Sequence, residues 1–517
     1  MISTDAWRYP LGAKTICGRI VVLSLVVPLC LALTGCPGKQ PDEKSQGSEG
    51  GDKSSEESKG PWSPPGGKWD IKETPIFDKQ AAAEKFIAGT LRISPDGRRY
   101  AFARKEVKQQ RWVVDGKDEP LAFQLDEAAA AKQFQFSENG KHYWYTCKKP
   151  KYESLVIDGA VRDDEATDYG ISGDGQLFAY ASGFKSQEKG CVCLGDPRAL
   201  GNVIMRTTET AIRWASLDGS GVTVDDKTTT KGSITEFQFS ANGKSYAFLL
   251  DNTRAVVNGK PHGKRFDRVV SKLFLSADGE HVLYAGFEGK QNYVSYDNQW
   301  LEIDSAPAAL VLSPDGKHWA CRVDNAIVLD GKKVKEYPTA QWQINEALSP
   351  ILFSPDSKDL AYAAGEKVKI TDDKGKEVAE KYFAFMVRNG VEQTRFAQVD
   401  FAIAVPFFSP DGRYLAYYAR EAVDGDEYLV INGAKVMKPN VAYLPAALPS
   451  FSPDSTSVGF VMKKQGEWFP VLDGQELKKD YEEIAPGGLR VGFTPDGTYT
   501  FIALRGGAYY WVEARRK

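Results

Sequence analysis

The chain is 517 residues long, 42% hydrophobic, and carries a formal charge of −3 at neutral pH. That composition supports a large buried core and excludes the strongly basic face expected of a nucleic-acid binder. No long apolar run follows residue 36, so no membrane-spanning helix is expected beyond it.

Residues 1–35 read as a secretory signal. Arg8, Lys14 and Arg19 supply a basic start, and Ile20 to Leu33 is a 14-residue apolar run. Such a run is too short for an ordinary spanning helix and suits a signal peptide. It ends at Leu33-Thr34-Gly35-Cys36. This resembles the bacterial lipobox, which implies cleavage before Cys36 and acylation of that cysteine. Several acyl chains anchor stably where one does not. Pro37 stands where aspartate would signal inner-membrane retention, so the same resemblance implies the outer membrane. Residues 36–67 are expected to be the lipidated cysteine and a flexible Gly/Ser/Glu/Lys tether. They hold too little apolar surface to fold, and their r.m.s. span is about 30 Å.

Residues 68–517 form a repeat region. Ser94-Pro95-Asp96-Gly97 reappears as Ser313-Pro314-Asp315-Gly316 and Ser409-Pro410-Asp411-Gly412. Looser copies start at Ser137, Ser172, Ser240, Ser276, Ser354, Ser452 and Thr494, which makes ten. Proline presets φ at the second turn position, aspartate bonds nearby backbone, and glycine accepts φ > 0. An apolar residue precedes most copies and a run such as Tyr100-Ala101-Phe102 or Leu415-Ala416-Tyr417 follows, so each turn joins two strands. Apolar residues in succession predict strands covered on both faces. A second phrase follows about twenty residues later in most copies, as in Val113-Val114-Asp115-Gly116, Val256-Val257-Asn258-Gly259 and Val471-Leu472-Asp473-Gly474. It is a hairpin signal. Four strands in about 40 residues predict an all-β fold of four-stranded β-propeller blades, about ten repeats.

The run Phe408 to Tyr417 resembles the TolB-like, WD-repeat-like propeller repeat of bacterial envelope proteins, and the resemblance extends from about Trp69 to the C-terminus. It implies a propeller and suggests an envelope protein as partner. Nothing matches TolB's separate N-terminal α/β domain.

Ten units exceed the usual four to eight blades of one propeller. One large ring and two tandem propellers both remain open. The C-terminal unit has room for two strands after its turn, Tyr499–Leu504 and Ala508–Val512. Strands at Trp69-Asp70-Ile71 and at residues 89–93 are expected to complete it, with a helix over residues 80–85 between them. The terminal strands would thus close the ring and remove an exposed edge. Ser216-Leu217-Asp218-Gly219 is a candidate degenerate extra repeat. The long gap between Ser354 and Ser409 is read as an insertion containing Arg388-Asn389-Gly390.

Candidate chemistry is sparse. The histidines are His142, His262, His281 and His318, and three of them stand two residues after a turn glycine. That position also holds Arg99, Ser245, Tyr414 and Tyr499, which points to a structural role rather than a ligand ring. Cys147, Cys191, Cys193 and Cys321 could form disulfides in an oxidising envelope, with three pairings open. Cys191-Val192-Cys193 lacks the second tight pair of a zinc site. Asp372-Asp373-Lys374-Gly375 and Asp424-Gly425-Asp426 lack EF-hand spacing and read as loops. Gly-x-Ser-x-Gly, dinucleotide and Walker loops do not occur. No catalytic residue, cofactor or metal is expected, and Cys36 is the one site residue. The function expected is a lipid-anchored, non-catalytic binding or scaffold module for an envelope protein. The alternative is a hydrolase or lyase, sited in the channel, acting on envelope polysaccharide or peptide.

Overall fold

The computed structural model describes residues 62–76 and 87–517, apart from 88–89, 107–108, 124–133, 138, 149–152, 165–166, 173–176, 182–190, 195–201, 209, 219, 226, 338–350, 372–376, 400–404, 423–424, 438–447, 465, 478–480 and 485–490. The expected signal peptide, Cys36, most of the tether, the helix over residues 80–85 and the Asp372–Gly375 loop lie outside the described residues.

Among the described residues the strands form eleven sheets. We number them in chain order: sheet 1 (92–123), 2 (134–164), 3 (167–193), 4 (202–231), 5 (234–262), 6 (268–303), 7 (309–336), 8 (351–392), 9 (398–437), 10 (450–476) and 11 (483–516). Ten are blades with four strand positions, and in sheets 6, 9 and 11 the innermost position is split in two. Sheet 3 has three strands, and its last, Cys191–Cys193, runs parallel to Phe178–Ala181.

The ring is single. Each of eleven clusters of buried apolar side chains joins two successive sheets. The cycle closes where Ile502 and Trp511 of sheet 11 pack with Leu91, Phe102 and Val113 beside sheet 1. Two tandem propellers are therefore not formed. A strand's alternating faces explain the continuous apolar runs. In Tyr100–Lys105, Phe102 faces sheet 11, whereas Ala101 and Ala103 make room for Trp112, Phe134 and Tyr145 towards sheet 2. Trp112 is fully buried.

Closure differs in one respect from expectation. Trp69–Pro75 pairs antiparallel with Ala508–Arg516, from Trp69 against Arg516 to Pro75 against Tyr510, and supplies the outer strand of sheet 11. Arg92–Ile93 instead pairs with Tyr100 and Ala101 in sheet 1. The closing blade thus takes one strand position from the N-terminal side and three from the C-terminal side. The three include Gly492–Phe493, which precedes the Thr494 turn.

The long gaps have physical explanations as well. Sheet 4 is a complete blade, but Ser216-Leu217-Asp218-Gly219 is not its first turn. Its first turn is closed by Thr208 and Ala211, whose backbone groups bond at 2.8 Å, and Asp218 caps the next loop by accepting from the Ser220 amide. In sheet 8, Arg388-Asn389-Gly390 is not inserted sequence. It is the ordinary second hairpin turn, with Asn389 at φ +50° and Gly390 at φ +79°. The added length lies in the preceding hairpin, where Leu360–Thr371 and Glu377–Arg388 are twelve residues each. Trp62, inside the stretch expected to be tether, is buried against Phe460 and Phe469 in the core between sheets 9 and 10.

Candidate functional site

Antiparallel order places the first turns of the blades, and the third turns wherever one continuous segment forms all four strands, at one end of the ring and the second turns at the other. The first end is built of tight, repeated turns. The Ser94 amide donates to the Arg99 carbonyl at 3.0 Å, and the Gly97 amide to the Ser94 carbonyl at 2.8 Å. The buried Ser94 hydroxyl donates to Asp96 Oδ1 at 2.5 Å and accepts the Arg99 amide at 2.9 Å. The serine is thus required inside the turn, where an unpartnered hydroxyl would be costly. The second phrase closes as a type I′ turn, with Asp115 at φ +49° and Gly116 at φ +80°.

The two phrases of one repeat bond each other. Asp115 accepts the Tyr100 amide at 3.0 Å and Arg99 Nε at 2.7 Å. Asp158, Asp297 and Asp330 do the same with the Nδ1 atoms of His142 (2.7 Å), His281 (2.9 Å) and His318 (2.7 Å). Asp225 does so with Arg213 at 2.8 Å. Where the turn holds asparagine, the partner changes: Asn258 donates to Ser245 at 3.3 Å, and Asn389 donates to Asp359 Oδ1 at 2.7 Å. These three histidines therefore act as hydrogen-bonded turn partners and belong to different blades. His262 lies in the outer strand of sheet 5, its Nε2 3.8 Å from Asp297 Oδ1.

Neighbouring turns are also tied together. Ser357 and Ser455 replace the turn glycine and keep its left-handed backbone, at φ +63° and +62°. Their hydroxyls accept the amides of Asp315 and Asp411 in the preceding blade, each at 3.0 Å. Arg98 reaches Asp496 across the closure at 3.2 Å.

None of the three pairings that use all four cysteines is formed. Cys321 is a free, buried thiol between sheets 6 and 7, and Cys147 lies in the distant core between sheets 1 and 2. Burial pushes the Cys321 thiol up to about 12, which makes it inert at neutral pH. Of Cys191 and Cys193 only the backbone is described.

Two buried or half-buried carboxylates look reactive in isolation but serve packing. Glu119 accepts the Tyr143 hydroxyl at 2.6 Å and the Tyr145 hydroxyl at 3.1 Å between sheets 1 and 2. Burial, with Glu119 beside them, raises both phenols far above the ordinary tyrosine range, so they stay protonated donors. Glu73 on the closing strand accepts the Tyr481 hydroxyl at 2.5 Å and pairs with Arg505. Among the described residues, one trio has the donor set for a metal ion: Asp278, Glu280 and His281 at the first turn of sheet 6, their ligating atoms within 4.8 Å of one another.

The opposite end carries the irregular features. The long hairpin of sheet 8 leaves its blade after Gly365, and residues 366–370 and 377–383 are half-buried or exposed. The ribbon presents Ile370 and Val378, 42% and 59% exposed. Ion pairs between Lys369 and Glu377 (2.8 Å) and between Lys367 and Glu380 (3.8 Å) cross it. The arm is hidden in the sequence as long as Arg388-Asn389-Gly390 is read as an insertion and not as the repeat's second phrase. Aligning that phrase with Val430-Ile431-Asn432-Gly433 exposes the additional strand length.

No family model and no curated protein matches the chain. Among solved structures it is similar to a eukaryotic initiation factor, at 14% identity over 81% of this chain and 89% of that one, TM-score 0.37. It is also similar to the Cps50 (Swd1) β-propeller domain of Myceliophteria thermophila, at 14% identity over 55% and 97%, TM-score 0.22. TolB from Acinetobacter baumannii matches at 13% identity over 54% and 63%, TM-score 0.20. The class of the protein, a β-propeller, rests on its own blades and their closed ring.

Proposed function

We propose that this protein is a lipid-anchored scaffold of the bacterial envelope that binds a protein partner without catalysing a reaction. The observation that carries the reading is the asymmetry of the ring. One end is consumed by turn-to-turn hydrogen bonding, whereas the other bears the twelve-residue hairpin arm of sheet 8 with exposed apolar side chains. Exposed apolar residues on a projecting ribbon suit a protein surface. The lipobox-like Leu33–Cys36 sequence supports acylation, and the residues that follow it support a tether that keeps the ring close to a membrane.

The test is site-specific photocrosslinking in a Gram-negative host, with the photoreactive residue at Val378 on the arm or at Lys317 on the turn end. A protein adduct from Val378 and none from Lys317 is expected. Absence of any protein adduct from Val378 overturns the assignment of the arm. Labelled palmitate that is still incorporated by Cys36→Ala overturns the anchor.

A further inference from the structure

We propose that Asp278, Glu280 and His281 bind one divalent first-row transition-metal ion at the turn end of sheet 6. Three observations meet at this turn. The first is the donor set. Two carboxylates and one imidazole suit Zn²⁺, Co²⁺, Ni²⁺ or Mn²⁺. Their ligating atoms lie within 4.8 Å of one another. Donors around bound zinc sit about 3.4 Å apart, from bond lengths near 2.1 Å and tetrahedral angles. Glu280 is exposed, so its side chain is free to move towards the other two donors.

The second is how the imidazole is held. His281 Nδ1 faces Asp297 Oδ2 at 2.9 Å and the Tyr296 hydroxyl at 3.2 Å. The Tyr296 hydroxyl donates to the Gly316 carbonyl at 2.8 Å, and the two rings stack with centroids 5.8 Å apart. Asp297 is fixed in turn by the Val282 amide at 2.9 Å. A carboxylate on Nδ1–H leaves Nε2 as the basic nitrogen and orients the ring, the arrangement that supports metal-bound histidines from behind.

The third is a comparison inside the molecule. Sheets 2 and 7 contain the same histidine bonded to the same turn aspartate, but lysine precedes it: Lys141-His142 and Lys317-His318. Only sheet 6 sets an acid beside its histidine. The backbone role of the repeat does not call for Glu280, whose carboxylate makes no hydrogen bond or ion pair among the described residues. Asp278 is committed through Oδ1, which accepts the Ser276 hydroxyl at 2.5 Å and the Glu280 amide at 3.0 Å. Its Oδ2 is available as a ligand. The trio is open to solvent, so water would complete the coordination.

The sister blades supply variants that keep the fold. Glu280→Lys restores the residue of sheets 2 and 7, and Asp278→Asn restores that of sheets 2 and 5. Zn²⁺ and Co²⁺ are titrated calorimetrically into the full chain after treatment with a chelator, and thermal unfolding is followed with and without Zn²⁺. One equivalent should bind and raise the unfolding temperature. Each variant should unfold like the parent without metal and bind more than about tenfold more weakly, since loss of even an outer-shell partner costs 10–100-fold. Absence of stoichiometric binding, or binding unchanged in Glu280→Lys, overturns the site.

Discussion

Arg505 grips Glu73 through two bonds, 3.1 and 2.6 Å long, across 432 residues of sequence. The guanidinium lies over Tyr510 and Tyr481, and Tyr481 donates to the same carboxylate. The N-terminal strand is thus held at its middle by the C-terminal hairpin. At its start it is held by Trp69 and Arg516, which both reach Asp473 in sheet 10. In the closing blade this strand is held only by residues distant from it in the chain, so these contacts bear directly on closure.

Removing the Glu73–Arg505 pair should therefore weaken closure. Arg505→Ala leaves a mostly buried carboxylate without its cation. The expected cost is about 2 kcal/mol, the range for hydrogen bonds to charged groups. Chemical denaturation checks this. In a double-mutant cycle Glu73→Gln and Arg505→Ala should couple favourably; strictly additive effects would show that the pair contributes nothing to closure.

Ser357 separates two physical effects. Its left-handed backbone is strained for any residue with a Cβ, whereas its hydroxyl accepts the Asp315 amide. Ser357→Ala retains the strain and loses the hydrogen bond, so a loss of about 1 kcal/mol is expected. Ser357→Gly loses the same bond but relieves the backbone, so it should lie near the parent. Thermal melts decide it: an alanine variant as stable as the parent contradicts the turn-to-turn bond, and one as stable as the glycine variant contradicts the strain.

Much of this fold was legible because the repeat writes its turns in fixed residue types. Ser-Pro-Asp-Gly and Asp-Gly mark both hairpins at the same end, and the apolar runs between them state that each strand is covered twice. Sheet 4 was obscured because its first turn uses Thr208 and Ala211 instead of the phrase. The pairing of the Trp69 strand with the C-terminal hairpin was legible from two incomplete terminal units, whereas the number of rings was not, because no turn phrase states which sheets pack face to face. The role of the histidines was present as covariation inside the chain: Arg99, His142, Arg213, His281 and His318 each accompany a turn aspartate, whereas Ser245 and Asp359 accompany asparagine. Only the hydrogen bonds show why.

That covariation predicts an exchange. His318→Arg should be accepted with a change within about 0.5 kcal/mol, because Arg99 and Arg213 already fill the same role with Asp115 and Asp225. His318→Ala should cost about 1 kcal/mol through the lost bond to Asp330. Denaturant midpoints test the order arginine above alanine; the reverse order contradicts the turn-partner role.

Acid should loosen the turn end before it dissolves the core. The Thr494 hydroxyl is the main influence on Asp496, and Thr498 and Arg98 add to it, which lowers its carboxyl to about 2. In Asp315, Asp356, Asp411 and Asp454 burial opposes ionisation, but the turn serine, neighbouring amides and nearby cations outweigh it, and each lies below the ordinary value. A carboxyl whose folded value is depressed stabilises the fold fully above its unfolded value, near 4, and loses that contribution as pH falls through the folded value. The unfolding temperature should therefore be flat from neutrality to about pH 5 and decline between about pH 4 and 2. Asp496→Asn removes one of these groups and should reduce the slope in that window while leaving the plateau shape unchanged. An identical decline in the variant would mean that Asp496 is not held ionised by its turn, and that acid acts elsewhere in the ring.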